Sequence, residues 1–543
     1  MWWGMSEEVV FVRRASGLVR ELSWIDVALW SIACPAASGM TFYAVKVLGY
    51  PDTYGGNIAL AFFLAGLIFL PLTIAFYYIA ASFPRSSSMY VVVSRTLHPV
   101  LGYIPFWYYI VGGGGAMTAG FIMYIGLKAF SGPLAVAGVA SNNPALISIS
   151  NALIDPVNQL VISIILVAVL WALNMGGIKV IKWTMRIGTI LPLIVTVLTL
   201  AALPFVGANN GMAAFDSIYG PGSASKIMSV AFNETVSKQY NVPVLTANPL
   251  LIGTYGMLFW TLWAWSGLEV TTFIGSEVKD PSRSYLKGLF TGYAVVMALY
   301  LFNAFILPYV FNYDFLAAYA YLRANYPDVL SSILPGKPLP EPSVPFYIAI
   351  AFPNPVLAIV VGLAYFLWYL NTAIPVWVAA VRGFFSMSFD RALPEKLASV
   401  SPRFAAPTWA NHITAIIAGL GAVITYYENL GATLATALIS WLDFSLFIFV
   451  WPVGLALTLL PWWRPEIFER TVFKSKVATS VLGIIVFAIG WWLMLYTSYP
   501  EPSVQMVNIA AGVLGISIYV YMMAKNRAKG IDPSKIYGQI PPA

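Results

Sequence analysis

Stretches of about twenty apolar residues recur along the whole of this chain, and lipid is the environment in which such stretches make sense. Lipid offers no hydrogen bonds, so a segment of that length crosses it as a helix that pairs its own backbone. Twelve spans follow from the pattern: roughly 24–49, 57–82, 101–130, 157–177, 183–206, 250–275, 287–311, 350–385, 406–426, 431–461, 477–497 and 503–524. Of the 543 residues, 59% are hydrophobic and only 9% charged, against about 25% charged in a soluble domain. The single Cys34 excludes an internal disulfide and a Cys-built metal centre, and two histidines leave little for a His-ligated one. No metal and no cofactor is expected. Glu7 and Glu8 precede the arginines, and no small-residue cleavage site follows the first span, so the N-terminus does not read as a signal peptide.

Two spans are interrupted at matching points. One interruption is Ala33-Cys34-Pro35-Ala36-Ala37-Ser38-Gly39 in the first span, and the other is Trp263-Ala264-Trp265-Ser266-Gly267-Leu268-Glu269 in the sixth. Each carries a Ser-Gly pair and each opens a block of five spans. Irregular backbone at membrane depth must line a cavity or hold something. Paired interruptions in two halves of a chain mark the binding site of a secondary transporter. The alternative is that Ser-Gly makes a packing notch between helices.

Charge placement orients the chain. With the N-terminus in the cytoplasm and twelve alternating spans, the inner segments hold 23 of the 29 Lys and Arg residues, as the positive-inside rule requires. Both termini are then cytoplasmic in a multi-pass cell-membrane protein. The net charge of +7 is spread over many segments, so it signals topology and not a nucleic-acid partner. The basic tail after Met523 reads as a solvated tail, with contact to anionic lipid as the alternative. Two long outer loops, 207–249 and 312–349, are rich in Gly, Pro, Asn and Ser and are placed to cap an outer vestibule.

Several short motifs carry a family resemblance. Phe83-Pro84-Arg85-Ser86-Ser87-Ser88-Met89-Tyr90, then Leu97-His98-Pro99-Val100-Leu101-Gly102-Tyr103, resembles the loop entering the third helix of amino acid–polyamine–organocation transporters, with Ser87 and Ser88 in place of two glycines. Gly267-Leu268-Glu269, followed by Glu277-Val278-Lys279-Asp280-Pro281-Ser282-Arg283, resembles their sixth helix and its exit. Asn174-Met175-Gly176-Gly177 resembles the turn between helices four and five, and Arg382 with Leu393-Pro394 the end of helix eight. The resemblance covers roughly residues 25–460.

It implies an all-α integral membrane protein of leucine-transporter-like fold. Two inverted five-helix repeats are followed by two C-terminal helices, with helices 1 and 6 unwound at the midplane. The implied division is a cytoplasmic 1–23, a first repeat 24–206, an outer loop 207–249, a second repeat 250–461, the last two helices in 477–524 and a cytoplasmic tail 525–543. The implied mechanism is alternating access around a central site, with an amino acid or related amine as substrate. The oligomeric state is not fixed by sequence, and a homodimer is compatible with it.

Helix ends supply the chemistry of that site. A half-helix N-terminus presents free N–H groups that suit a carboxylate, and a C-terminus presents carbonyls that suit an ammonium. The expected carboxylate site is the backbone near Ser38, Gly39 and Met40, with Ala37 where the family has glycine. The expected ammonium site is the carbonyls of Pro35, Trp263 and Ser266, beside Gly267. Glu269 and Asp443 are intramembrane carboxylates and gating or proton candidates; the plainer reading of Glu269 is a cap on the broken helix. Gly113 and Gly114, within Gly112–Gly115, and Asn371, Thr372 and Trp377 are side-chain subsite candidates. A close helix crossing and ordinary packing are the competing readings for these glycines and for Trp377.

Proton-driven members of the family place a lysine in helix 5, where this chain has Pro192, and no Lys or Arg lies between Ile187 and Lys226. Sodium-driven members place a hydroxyl pair late in helix 8, and 375–381 has none. Exchange of amino acids is therefore the expected mode. The alternatives are a proton- or sodium-coupled amino acid or polyamine symporter, or a transport-fold amino acid sensor. A membrane enzyme would need a nucleophile–base pair or an acid cluster, and His98 and His412 stand isolated, so no catalytic residues are expected.

Overall fold

The structure, a computed structural model, describes residues 11–12 and 15–541, apart from the side chains of Ser38, Pro533 and Ser534. Fourteen principal helices carry the fold. They are α1 Trp24–Ser38, α2 Ile58–Ser82, α3 Pro99–Val111, α4 Ala116–Ala140, α5 Pro156–Met175, α6 Gly177–Ala202 and α7 Leu250–Trp265. The second half adds α8 Pro281–Phe311, α9 Pro355–Phe389, α10 Thr408–Asn429, α11 Thr433–Phe447, α12 Val450–Trp463, α13 Lys476–Tyr496 and α14 Pro502–Ala528. Ten helical stretches are long and apolar enough to cross a membrane, counting α3 with α4 and α11 with α12 as one stretch each. Lipid-type side chains such as Val161, Ile165, Ile187, Ile194 and Leu198 are exposed on the outer faces of α5 and α6.

The two other expected spans are the interrupted ones. α1 has 15 residues and passes into a π turn at Gly39–Tyr43. α7 has 16 residues and passes through Ser266 and Gly267 into a 3-10 turn at Leu268–Phe273. The irregular part of the first span thus begins at Gly39, later than the Ala33-to-Gly39 run suggests. Pro35 is accommodated inside α1 because neighbouring side chains, described below, bond the carbonyls around it.

A third interruption lies at Gly112–Gly115, between α3 and α4. Added Cβ atoms at Gly112 and Gly113 would collide with α11, at Ser445 and at Leu442 and Leu446. The Ser445 hydroxyl accepts the Gly113 N–H at 2.7 Å. These glycines let two helices approach to backbone distance, and the same turn faces the central cavity.

Buried ion pairs close the face that carries both termini. Arg382 forks onto Glu277 at 2.9 and 2.7 Å, with both side chains almost fully buried. The Glu277 carbonyl accepts the N–H groups of Glu21 and Leu22 at 2.9 and 3.0 Å, and Lys279 donates back to Leu22 at 2.8 Å. Arg95 forks onto Asp390, one bond at 2.7 Å.

The chain's end packs here too, which corrects the solvated-tail reading. Arg85, Arg95 and Arg464 donate to the carbonyls of Pro541, Gln539 and Gly538. Ile536 and Tyr537 are buried against Phe11, Phe385 and Phe389. Three basic loops find their acceptors in tail backbone, and the apolar Ile-Tyr pair gives the tail a reason to stay.

The loops 207–249 and 312–349 are largely helical. Their pieces Asn210–Tyr219, Ser223–Phe232, Tyr313–Asn325 and Val344–Ala351 pack on the opposite face, with the Tyr319 ring in contact with both Phe215 and Phe346.

The Arg382–Glu277 pair generates a prediction. Breaking a buried pair strands a charge and costs about 3–5 kcal/mol, whereas replacing both partners with apolar groups costs far less. Glu277→Ala should lower the thermal midpoint in detergent markedly, and Glu277→Leu with Arg382→Leu should recover most of the loss. Equal loss in the single and double variants would contradict the assignment.

Candidate functional site

The interrupted helices meet. Gly267 has φ +115°, a conformation that suits glycine, and a Cβ there would strike Cys34 on α1. Backbone groups freed at the breaks are taken up by side-chain hydroxyls. The Tyr300 hydroxyl on α8 lies between the Pro35 carbonyl of α1 and the Ala264 carbonyl of α7, the latter at 2.7 Å, and shares its one proton between them. Thr372 on α9 donates to the Ala33 carbonyl at 2.7 Å. The Ser266 hydroxyl donates to the Trp263 carbonyl at 2.6 Å.

Glu269 closes the α7 break from inside. One carboxylate oxygen accepts the Gly267 N–H at 2.8 Å and the other accepts the Tyr109 hydroxyl at 3.0 Å. The side chain is buried, and its two bonds link α3 to the break.

Around this junction lies a small cavity of about 30 Å³, space on the scale of a single water, so a substrate enters it only as the surrounding helices move apart. Its lining mixes polar positions, Cys34, Gly114, Thr118, Ser266, Glu269 and Thr372, with the apolar Ile122, Val270, Val376 and Leu446. Tyr109, Tyr369 and Trp263 complete it, and the lining contains no lysine or arginine.

Away from the termini, Trp263 is pinned. Its ring N–H donates to Asp443 at 2.8 Å, and the Tyr499 hydroxyl donates to the other Asp443 oxygen at 2.9 Å. Aromatic contacts continue outward, from Trp263 to Tyr43, Trp260 and Tyr50, with centroids 5.3–5.9 Å apart. Asp443 therefore holds α7, α11 and the segment before α14 together through one carboxylate.

The structure brings Gly113, Gly114, Trp263, Ser266, Gly267, Glu269 and Thr372 to the cavity and leaves other sequence candidates outside its lining. The carbonyl of Pro35 is occupied by Tyr300, and that of Ala37 by the Thr41 hydroxyl at 2.6 Å. Gly39 faces the Tyr300 ring, and Met40 is fully buried. The side chain of Ser38 lies outside the described residues. Asn371 turns toward α6 and donates to Thr189 at 2.6 Å. Trp377 donates to Asn411 of α10 at 2.6 Å. Asp443 reaches the cavity only through Trp263.

Tyr300, Tyr109, Tyr369 and Thr118 are the residues that sequence reasoning missed. A tyrosine in an apolar span gives no sign of which carbonyl it serves. Tyr109 alone had a signal, three residues before a run of four glycines.

Comparison with known proteins places the chain in a family. The chain is 22% identical over 411 residues to uncharacterized transporters of Mycobacterium bovis and of Mycobacterium tuberculosis, covering 75% of this chain and 74% of each relative. Residues 22–523 match the amino acid permease family. A multi-pass helical chain with a closed cavity at its broken helices, matched over that length, belongs to the amino acid permease family and is a membrane transporter.

Proposed function

We propose that the chain exchanges neutral amino acids across the cell membrane by alternating access. The observation that carries this reading is the cavity itself, placed where three helices are interrupted and lined by both polar and apolar side chains. The ten long helical stretches and the two interrupted ones then make twelve spans. The first ten form two inverted repeats opened by α1 and α7, and the termini are cytoplasmic.

In this reading the ammonium group sits beside Glu269, at the carbonyl end of α7, where the helix dipole is negative. The carboxylate faces the amino end of α4 at Gly114, which presents unspent N–H groups and a positive dipole. Gly39 and Met40, the sequence's choice for the carboxylate, do not line the cavity in this state. The side chain lies against Ile122, Val270, Val376 and Leu446. A charged side chain would meet no opposite charge there beyond Glu269, whose oxygens are already engaged.

Two latches alternate. The outer one is Asp443 holding Trp263 and Tyr499, and the inner one is Arg382 on Glu277 with the strand-like pairing of Leu22 and Val278. Exchange, and not ion-driven uptake, is supported by the neighbours of Pro192 on α6. Thr189 and Thr196 are committed to Asn371 and Trp368 at 2.6 and 3.0 Å, and no lysine stands among them.

Three outcomes test this reading. Proteoliposomes loaded with a neutral amino acid should take up labelled amino acid much faster than empty ones, with little effect of a sodium gradient or a protonophore. Strong concentrative uptake into empty vesicles on an ion gradient would contradict exchange. The methyl ester of a transported amino acid should compete about ten- to a hundredfold less well than the parent, since a charge-assisted hydrogen bond is worth roughly 1.5–3 kcal/mol. Equal competition would move the carboxylate out of the site. Val376→Phe should exclude large side chains while sparing alanine-sized ones, and an unchanged preference would place the side chain elsewhere.

A further inference from the structure

Of the six Lys and Arg residues assigned to outer segments, three converge on one point. Lys46, just past the π turn, and Lys128 on α4 reach the two oxygens of Glu341 at 3.2 and 3.3 Å. Arg323, on the helix Tyr313–Asn325, joins them. Its Nε donates to the Leu339 carbonyl at 2.7 Å, and among the described residues its terminal amino groups have no hydrogen-bond partner. With Glu428 as the second nearby carboxylate, three cations face two anions and leave a surplus positive charge. Glu341 feels it: burial pushes its carboxyl up, but Lys46, Lys128 and Arg323 outweigh burial and hold it well below the usual carboxylate range.

Beside this cluster is a cavity of about 210 Å³, separate from the central one and lined by Lys128, Gln159, Arg323, Glu341 and Asn429 among others. Gln159, on α5, is 1% exposed, and its amide nitrogen has no hydrogen-bond partner among the described residues. A buried donor without an acceptor costs about 1–3 kcal/mol, so its placement against this cavity calls for an acceptor inside. The donors here outnumber the acceptors. Asn429 offers its carbonyl oxygen only to Lys128, at 3.5 Å.

We propose that this outer cavity is a binding site for a small monovalent anion, chloride or a carboxylate, held by Lys128, Arg323 and the Gln159 amide. The anion neutralises the surplus charge and satisfies Gln159. It also ties α4 and α5 to the loop that carries Glu341, and through Lys46 to the segment that continues α1. The site stands independently of what the central cavity carries.

The test is a thermal-unfolding titration of the purified full-length protein in detergent. Sodium chloride and sodium acetate are varied separately, with ionic strength held constant by a bulky ring-bearing sulfonate. The midpoint should rise and saturate. Saturation with chloride identifies a free halide as a ligand, and saturation with acetate alone identifies a carboxylate. Arg323→Gln should raise the half-saturating concentration at least about tenfold, the loss of a charged hydrogen bond. Gln159→Glu places a carboxylate in the cavity and should abolish the saturable rise while leaving the protein at least as stable without added anion. A non-saturating response in both salts, or half-saturation unchanged in both variants, would overturn the proposal.

Discussion

One hydroxyl holds the centre of this protein together. The Tyr300 hydroxyl shares its one proton between the carbonyls of Pro35 and Ala264, one on each interrupted helix. In lipid an unmet carbonyl has no water to turn to, so two helices can stop mid-membrane only if something reaches their ends. Tyr300 reaches both, and in doing so fixes the distance between them. Gly267 against Cys34 then brings the backbones into contact, and Thr372 bonds Ala33 from a third helix. The cavity is what remains between breaks that have been tied but not filled.

Its closure follows from the same economy of partners. Glu269 bonds its own helix end and Tyr109, so a carboxylate sits in the membrane without a cation. Asp443 does the equivalent away from the termini with Trp263 and Tyr499. The face that carries both termini instead uses full ion pairs, Arg382 on Glu277 and Arg95 on Asp390, both deeply buried. Hydroxyl and indole bonds to a carboxylate are weaker than forked guanidinium pairs. The Asp443 contacts are therefore the lighter of the two closures.

Much of this was legible in the sequence because lipid enforces simple rules. Apolar length gave the helices, and the Ser-Gly pair at 266–267 marked a break that the structure places there. The first break was displaced, because a proline reads as a helix end while Pro35 sits within α1, its carbonyl held by a tyrosine 265 residues away in sequence. Asn371 and Thr372 are adjacent in sequence and face different partners, Thr189 and Ala33. Polarity in a span is visible in a sequence; the face of the helix that meets the cavity is set by packing. The glycine run carried two readings, side-chain subsite and close crossing; Gly112 and Gly113 abut α11, as a close crossing requires, Gly114 abuts the Tyr109 ring, and Gly113 and Gly114 also border the cavity. The tail after Met523 reads as solvated because the carbonyls that bind Arg85, Arg95 and Arg464 belong to backbone, which composition does not reveal.

The central claim is that amino acids occupy the cavity at the junction of α1 and α7. Cys34 is the chain's one cysteine, and it lines that cavity at the point where Gly267 touches α1. The rate at which methyl methanethiosulfonate modifies the purified protein, followed by intact mass, therefore reports on this cavity alone. Saturating neutral amino acid, offered one at a time, should slow modification of Cys34 severalfold for those that are exchanged, while their methyl esters should not. A modification rate unchanged by every amino acid that the protein transports would place the substrate elsewhere.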